Sequence, residues 1–102
     1  MELITRPQFY LDVAEEVEYL AGRAGPETAE RWHSALGQTI NQLLRHPLIG
    51  RQRTDLKPSG LRSWRVNNFR RWLIFYAVHE NALVLLRVRY GMMDFAALEF
   101  ES

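Results

Sequence analysis

The sequence predicts an α+β fold in which an N-terminal strand and a helical hairpin precede a three-stranded antiparallel meander that forms one small sheet. Two observations lead to this prediction. Apolar residues recur at helical spacing between residues 8 and 45, and after residue 60 the apolar period shortens to about two residues. The length of 102 residues fits one domain covering residues 1–102 and is too short for two.

The first segments of the chain are predicted to be a short strand and an amphipathic helix. Residues 2–5 form the strand, which ends before Pro7 because proline cannot sit in a central ladder. Residues 8–24 carry an apolar stripe at helical spacing. The acidic residues of this segment are expected on its solvent side: Asp12, Glu15, Glu16 and Glu18.

A second helix is predicted after a short break marked by Gly22, Gly25 and Pro26. Pro26 suits the first helical position, and acidic residues in the first turn match the positive end of the helix dipole. The helix is expected to end near Arg45, because Pro47 disfavours helical geometry in the residue before it. Residues 47–60, punctuated by proline and glycine, are predicted to be a loop.

Three strands rich in β-branched and aromatic residues are predicted after the loop. They cover Leu61–Asn67, Arg71–His79 and Ala82–Tyr90. The second strand is apolar on both faces, which indicates a central position in the sheet. Turns at Asn67–Asn68 and Glu80–Asn81 connect the strands, and a short helix is expected in residues 92–100.

Charge is distributed unevenly along the chain, although the net charge is only +1. Residues 1–44 carry a net charge of −4, residues 45–89 carry +8 and residues 90–102 carry −3. The basic residues of the middle segment are almost all arginine, which is favoured where planar phosphate or carboxylate groups are bound. The asymmetry indicates an anionic partner, either nucleic acid or an acidic protein segment, and a solvated arginine-rich sheet face explains it equally well.

Several kinds of chemistry find no support in the sequence. The absence of cysteine excludes disulfides, thiolate metal sites and a cysteine nucleophile, and it fits a cytoplasmic setting. The three histidines lack metal-ligand spacing, and no serine-nucleophile motif or phosphate-binding glycine loop is present. We therefore expect no metal and no cofactor. The apolar runs are far too short to span a membrane, and the N-terminus lacks a signal-peptide run.

Tryptophans and arginines are the candidate binding residues. Trp32 and Trp64 suit a partner-binding platform, although packing between helices and sheet explains them better. Tyr90 suits a role in proton transfer or base stacking, or simple packing at a strand end. Arginines from neighbouring strands are candidates for one polyanion-binding surface: Arg62, Arg65, Arg70, Arg71, Arg87 and Arg89.

Four segments in series resemble the ParE/RelE superfamily of type II toxin–antitoxin toxins, and most of all its ParE, or plasmid-stabilisation, branch. They are HPLIGRQRTDL (46–56), GLRSWRV (60–66), WLIFYAV (72–78) and LLRVRYGMMD (85–94). The likeness covers nearly the whole chain and keeps the order of the elements.

The resemblance implies a small toxin that is neutralised by a co-expressed antitoxin. An acidic or amphipathic C-terminal segment of the antitoxin would wrap the toxin, with a helix on the helical hairpin and an extended piece along the sheet. Such an acidic segment would be the direct partner of the arginines. The ParE branch further implies DNA gyrase as the target and binding rather than catalysis as the activity.

The RelE-like branch, whose members are ribosome-dependent mRNA endonucleases, is the alternative. These enzymes need arginine or lysine for phosphate charge and a tyrosine or histidine for proton transfer. By the resemblance, three positions of that set are occupied here by Leu73, Gly91 and Ala97, which argues against the nuclease. The residues that keep this alternative open are Tyr90, Arg65, Arg87 and Arg89.

Overall fold

Two helices cover one face of a five-stranded mixed sheet in the computed structural model, which describes residues 1–91, Leu98 and Phe100. The helices are α1 (Pro7–Ala24) and α2 (Pro26–Arg45). The strands are β1 (Glu2–Thr5), β2 (Arg51–Gln52), β3 (Arg62–Val66), β4 (Phe69–His79) and β5 (Ala82–Tyr90). They lie in the order β1-β5-β4-β3-β2, and the predicted α+β class is confirmed.

Both helices begin at a proline. Pro7 and Pro26 occupy the first turn, where the missing amide hydrogen removes no helical hydrogen bond. Pro7 therefore starts α1 as well as ending β1. Gly25 joins the two helices with a φ of 93°, a backbone conformation that favours glycine. The second helix ends at Arg45, as predicted.

The sheet contains two strands more than the predicted meander. Strands β3, β4 and β5 form that meander, and β4 is central. β1 pairs in parallel with β5, with Ile4 opposite Val84, and the helical hairpin supplies the long crossover that a parallel pair needs. β2 pairs with β3 inside the segment predicted as a loop. Local periodicity reveals neither addition, because the β1–β5 pairing joins residues 80 positions apart and β2 has only two residues.

Strand β4 is packed on both faces, and each face has its own apolar cluster. Ile74 and Tyr76 pack with Trp32 on the side covered by the helices. Phe75 faces the opposite side, which we call the helix-free face because neither α1 nor α2 covers it, and its ring lies 5.3 Å from that of Phe100. The alternation along β4 thus assigns its side chains to two separate cores.

Neither helix of the described residues combines the length and the apolar character required to traverse a lipid bilayer. The helix predicted in residues 92–100 lies outside the described residues, apart from Leu98 and Phe100.

Candidate partner-binding surfaces

The six arginines predicted to share one surface do not lie together. Arg65 and Arg70 line a solvent-open hollow. The other four bond to polar groups of the protein: Arg62, Arg71, Arg87 and Arg89. The structure therefore divides the predicted set into a pair that lines the hollow and four arginines whose guanidinium groups are bonded to other groups of the protein.

Arg87 is held by Asp12, a fully buried carboxylate of α1. Arg87 donates to Asp12 from Nε at 2.7 Å and from a terminal nitrogen at 3.1 Å, the two-pronged arrangement in which arginine binds carboxylates strongly. Asp12 also accepts the backbone N–H of Val88 at 3.1 Å. Pairing of β1 with β5 ends at Leu85. Asp12 thus occupies the place of a strand partner just beyond the end of β1.

The acidic side of α1 is only partly a solvated face. Glu16 is 6% exposed, accepts a hydrogen bond from Trp72 Nε1 at 2.7 Å and lies 3.7 Å from Arg89. Glu15 stays largely exposed and is 3.3 Å from Arg89. The prediction that Asp12 and Glu16 face solvent is wrong. A helical pattern cannot separate a carboxylate that faces water from one that faces an arginine of a distant strand.

The environment of Arg89 keeps its guanidinium charged. Partial burial lowers the pKa of Arg89, but its hydrogen bond to Glu15 and the charges of Asp12, Glu15 and Glu16 more than offset this, so the pKa is raised. Arg89 is therefore already neutralised by α1, as Arg87 is, and neither is placed to bind an external phosphate.

Arg62 closes the loop between α2 and β2. It donates to the carbonyl oxygens of Gly50 at 2.8 Å and of Leu48 at 3.2 Å. The buried phenol of Tyr76 donates to the carbonyl of Pro47 at 2.7 Å and accepts the N–H of Gly50 at 2.9 Å. Burial raises the pKa of Tyr76, so the hydroxyl stays protonated and can donate. These bonds give Arg62 a structural role.

Tyr90 closes β5 on the helix side of the sheet. Its ring packs edge-on against Trp72 with centroids 4.9 Å apart, and its hydroxyl accepts a hydrogen bond from exposed Arg71 at 3.3 Å. This bond raises the pKa of Arg71. At Gly91, a Cβ atom would lie 2.7 Å from the carbonyl oxygen of Arg71, so a side chain there requires the backbone to move. The local geometry does not accommodate an arginine at position 91.

The two candidate tryptophans lie in different places. Trp32 is completely buried, in edge-on contact with Trp72 at 6.3 Å, so it offers no surface to a partner. Trp64 is half-buried, and the guanidinium of Arg65 lies 4.7 Å from the centre of its ring. Only Trp64 remains a candidate for contact with a partner.

A hollow of about 430 Å³ opens beside β2, β3 and β4. Four arginines contribute to its walls, and we call it the arginine hollow; its lining is Arg51, Arg53, Ser63, Trp64, Arg65, Arg70 and Leu73. Arg51 and Arg53 were not among the candidates predicted from the sequence. Their signal was the Arg-x-Arg pair in the segment HPLIGRQRTDL. This segment contains β2, whose two residues are too few to show a period.

Arg53 is the buried member of the arginine hollow. It donates to both carboxylate oxygens of Asp55, at 3.0 and 2.7 Å, and to Ser63 Oγ at 3.2 Å. The hydrogen bond from Arg53 lowers the pKa of Asp55 to about 2. Asp55 therefore stays ionised at physiological pH and fixes Arg53 in place. Within the described residues, no three carboxylates or imidazoles gather where they could hold a metal ion.

An apolar groove of about 210 Å³ lies between the helices and the sheet edge. We call it the helix–strand groove; it is lined by Leu3, Thr5, Phe9, Tyr10, Val13, His33, Leu36, Gly37, Ile40 and Leu85. Tyr10 is 65% exposed and Leu3 is 42% exposed, so apolar surface continues outside the groove. Exposed apolar surface beside a groove is typical of a protein-binding site.

Comparison with known proteins identifies the family. The model of the family described as the ParE toxin of the type II toxin–antitoxin system parDE matches residues 3–95. The chain belongs to the ParE toxin family. Toxin ParE3 of Caulobacter vibrioides is 32% identical over 73 residues, which are 72% of this chain and 69% of that protein. The resemblance found in the sequence is thereby confirmed.

The fold agrees with a solved structure of a ParE-family system. The structure described as the chromosomal ParDE toxin–antitoxin system from P. aeruginosa superposes with a TM-score of 0.73 and covers 88% of this chain and 95% of that chain. Its sequence identity of 15% supports the fold alone. This ParE-family chain is a toxin of a type II toxin–antitoxin system, which implies an antitoxin partner.

Proposed function

We propose that this ParE-family toxin inhibits DNA gyrase by binding it, without cutting nucleic acid. The observation that carries the proposal is the dispersal of the nuclease candidates. Arg87 and Arg89 are bound by carboxylates of α1. Tyr90 packs on Trp72 in the helix-side core, whereas Arg65 lies opposite Leu73 on the helix-free face.

The separation of Tyr90 from Arg65 argues against a nuclease site in which the tyrosine transfers a proton and the arginine stabilises the phosphate charge. A general acid or base must lie within hydrogen-bond reach of the atom it protonates, and the phosphate charge must be met at the same centre. A tyrosine and an arginine on opposite faces of one sheet do not meet that requirement. At Leu73 and Gly91 the chain also carries no nuclease-type side chain, while Ala97 lies outside the described residues.

The proposal predicts inhibition of gyrase that does not depend on Tyr90. Purified toxin is expected to block supercoiling of relaxed plasmid by gyrase, and Tyr90→Phe is expected to inhibit within about twofold of the wild type, because it removes only an exposed hydrogen bond to Arg71. Relaxation by a type I topoisomerase serves as the control. Cleavage of mRNA during translation, abolished by Tyr90→Phe, with gyrase unaffected, would instead establish the RelE-like alternative.

We further propose that the amphipathic C-terminal segment of the antitoxin docks in the helix–strand groove. Support comes from the apolar lining of the groove and from the exposed apolar surface of Tyr10 and Leu3 beside it.

The proposed target places the toxin and its antitoxin in the cytoplasm, which agrees with the absence of cysteine.

Gly37 offers a test of this docking. A Cβ atom at Gly37 meets open space, so Gly37→Glu places a charge in the groove without a clash inside the toxin. We expect the variant to bind the antitoxin at least about tenfold more weakly in calorimetric titration. Gly22→Glu makes the same change at an open helical position outside the groove and should bind normally. Equal binding by both variants would exclude the groove as the docking site.

A further inference from the structure

The arginine hollow concentrates positive charge that the described part of the protein does not neutralise. Arg51, Arg65 and Arg70 are exposed, and their guanidinium groups make no hydrogen bond or ion pair with a described residue. Among the described residues, the carboxylate beside them is that of Asp55, which Arg53 binds and on which the charge of Arg51 also acts. Gathering these like charges around one hollow costs repulsion, which a bound polyanion would remove.

The scaffold holds the hollow in a defined shape. Arg51, Arg65 and Arg70 come from three strands of one sheet, β2, β3 and β4. The guanidinium of Arg65 rests on the ring of Trp64, which limits its conformations and leaves its edge free to donate hydrogen bonds. The side chain of Arg53 is held in place by its hydrogen bonds to Ser63 and Asp55. Arginines held in this way lose little conformational freedom when they bind an anion.

The density of charge favours a nucleic-acid backbone over an acidic peptide. Duplex DNA presents a phosphate charge for every ~1.7 Å of its axis, whereas an extended peptide places side chains on one face only about every 7 Å. The sheet edge next to the hollow is strand β2, which has only two residues and offers little pairing to an added peptide strand. A planar guanidinium group can donate two parallel hydrogen bonds to two oxygens of one phosphate.

We infer that the arginine hollow binds the phosphate backbone of duplex DNA. This inference rests on the proposed function, since a toxin that acts on gyrase meets gyrase together with its DNA substrate. It also revises the expectation that an acidic antitoxin segment is the direct partner of these arginines. The arginines of the hollow contact phosphate, so the contact is independent of base sequence and sensitive to salt.

The test compares two double variants that lose the same charge. The hollow variant combines Arg65→Ser with Arg70→Ser and so removes two arginines that line the hollow. The helix variant combines Arg23→Ser with Arg31→Ser and so removes one arginine from each helix. Binding to a fluorescent duplex oligonucleotide is measured by anisotropy from 50 to about 300 mM salt. Unfolding by urea checks that each variant is folded, and Arg51→Ser provides an independent change to the hollow.

The hollow variant is expected to bind duplex DNA roughly ten- to a hundredfold more weakly at about 0.1 M salt, with a salt slope reduced by about 2. The helix variant should stay within about twofold of the wild type. Equal weakening by both variants would overturn the inference, because net charge alone would then explain binding. Stronger binding to an acidic peptide or to single-stranded RNA than to duplex DNA would overturn it as well.

The gyrase assay separates this inference from the proposed function. DNA binding that depends on Arg65 and Arg70 supports the phosphate site even if the wild-type toxin leaves gyrase active, a result that refutes only the proposed target. Inhibition of gyrase by a toxin with no salt-dependent affinity for DNA supports the target and refutes the phosphate site.

Discussion

Replacing Asp12 by alanine is expected to lower the free energy of unfolding by about 3–5 kcal/mol. Asp12 is fully buried and accepts hydrogen bonds from Arg87, from Arg89 and from the Val88 amide. Removing it takes the carboxylate away from Arg87, which is 9% exposed, and so leaves a poorly solvated positive charge without its principal neighbour. Urea unfolding followed by circular dichroism measures the change.

Glu15→Ala is the matched control for Asp12→Ala. It removes a carboxylate of the same helix that also contacts Arg89, but its side chain is largely exposed, so a loss below about 1 kcal/mol is expected. Asp12→Asn keeps an acceptor for the Val88 amide and loses the charge, and it should fall between the two. Equal stability of the wild type and Asp12→Ala would show that the ion pair with Arg87 contributes nothing to the fold.

Trp32→Ala is expected to cost about 3–5 kcal/mol of stability, because it empties a fully buried site at the centre of the helix-side core. The edge-on contact with Trp72 is lost as well. Trp32→Phe keeps a ring and removes an indole N–H that has no hydrogen-bond partner among the described residues, so it should cost only about 1–2 kcal/mol. The same urea experiment measures both variants.

Leu11→Ala is the control for the tryptophan variants. It lies at an exposed apolar position of α1, so it should change the free energy of unfolding by less than about 0.5 kcal/mol.

If Trp32 instead bound a partner, the tryptophan variants would behave in the opposite way. Stability would then be unchanged by Trp32→Ala, and antitoxin binding would be lost instead. The stability measurement and a titration with the antitoxin therefore distinguish the two roles directly.

Both helices, the turns and the central position of β4 follow from local features of the sequence. Proline starts and apolar spacing define α1 and α2, and the two apolar faces of β4 require it to be covered on both sides. Strand β2 could not be predicted from local features, because two residues show no period. The parallel pairing of β1 with β5 could not be predicted either, since it joins residues 80 positions apart.

For the arginines of the candidate sites, too, some features could be predicted from the sequence and others depend on long-range contacts. Their number and their segment are visible in the sequence, and so is an anionic partner as their explanation. The sequence does not show which arginine is left without an ion pair, because Arg65 and Arg87 each lie between two apolar residues of a strand. Arg87 lies where α1 crosses the open edge of β5 and meets Asp12, whereas Arg65 lies on the face of the sheet that α1 and α2 leave uncovered.

The sequence by itself determined the α+β class, the order of the two helices and of every described strand except β2, and membership of the ParE toxin family. These depend on local periodicity and on short motifs, which do not require knowledge of long-range contacts. Only the tertiary structure decided which charges neutralise one another. Opposite charges pair through space, so the −4 helical segment and the +8 sheet segment are not two independent surfaces. Asp12, Glu15 and Glu16 neutralise Arg87 and Arg89, whereas Arg51, Arg65 and Arg70 of the arginine hollow have no ion-pair partner among the described residues.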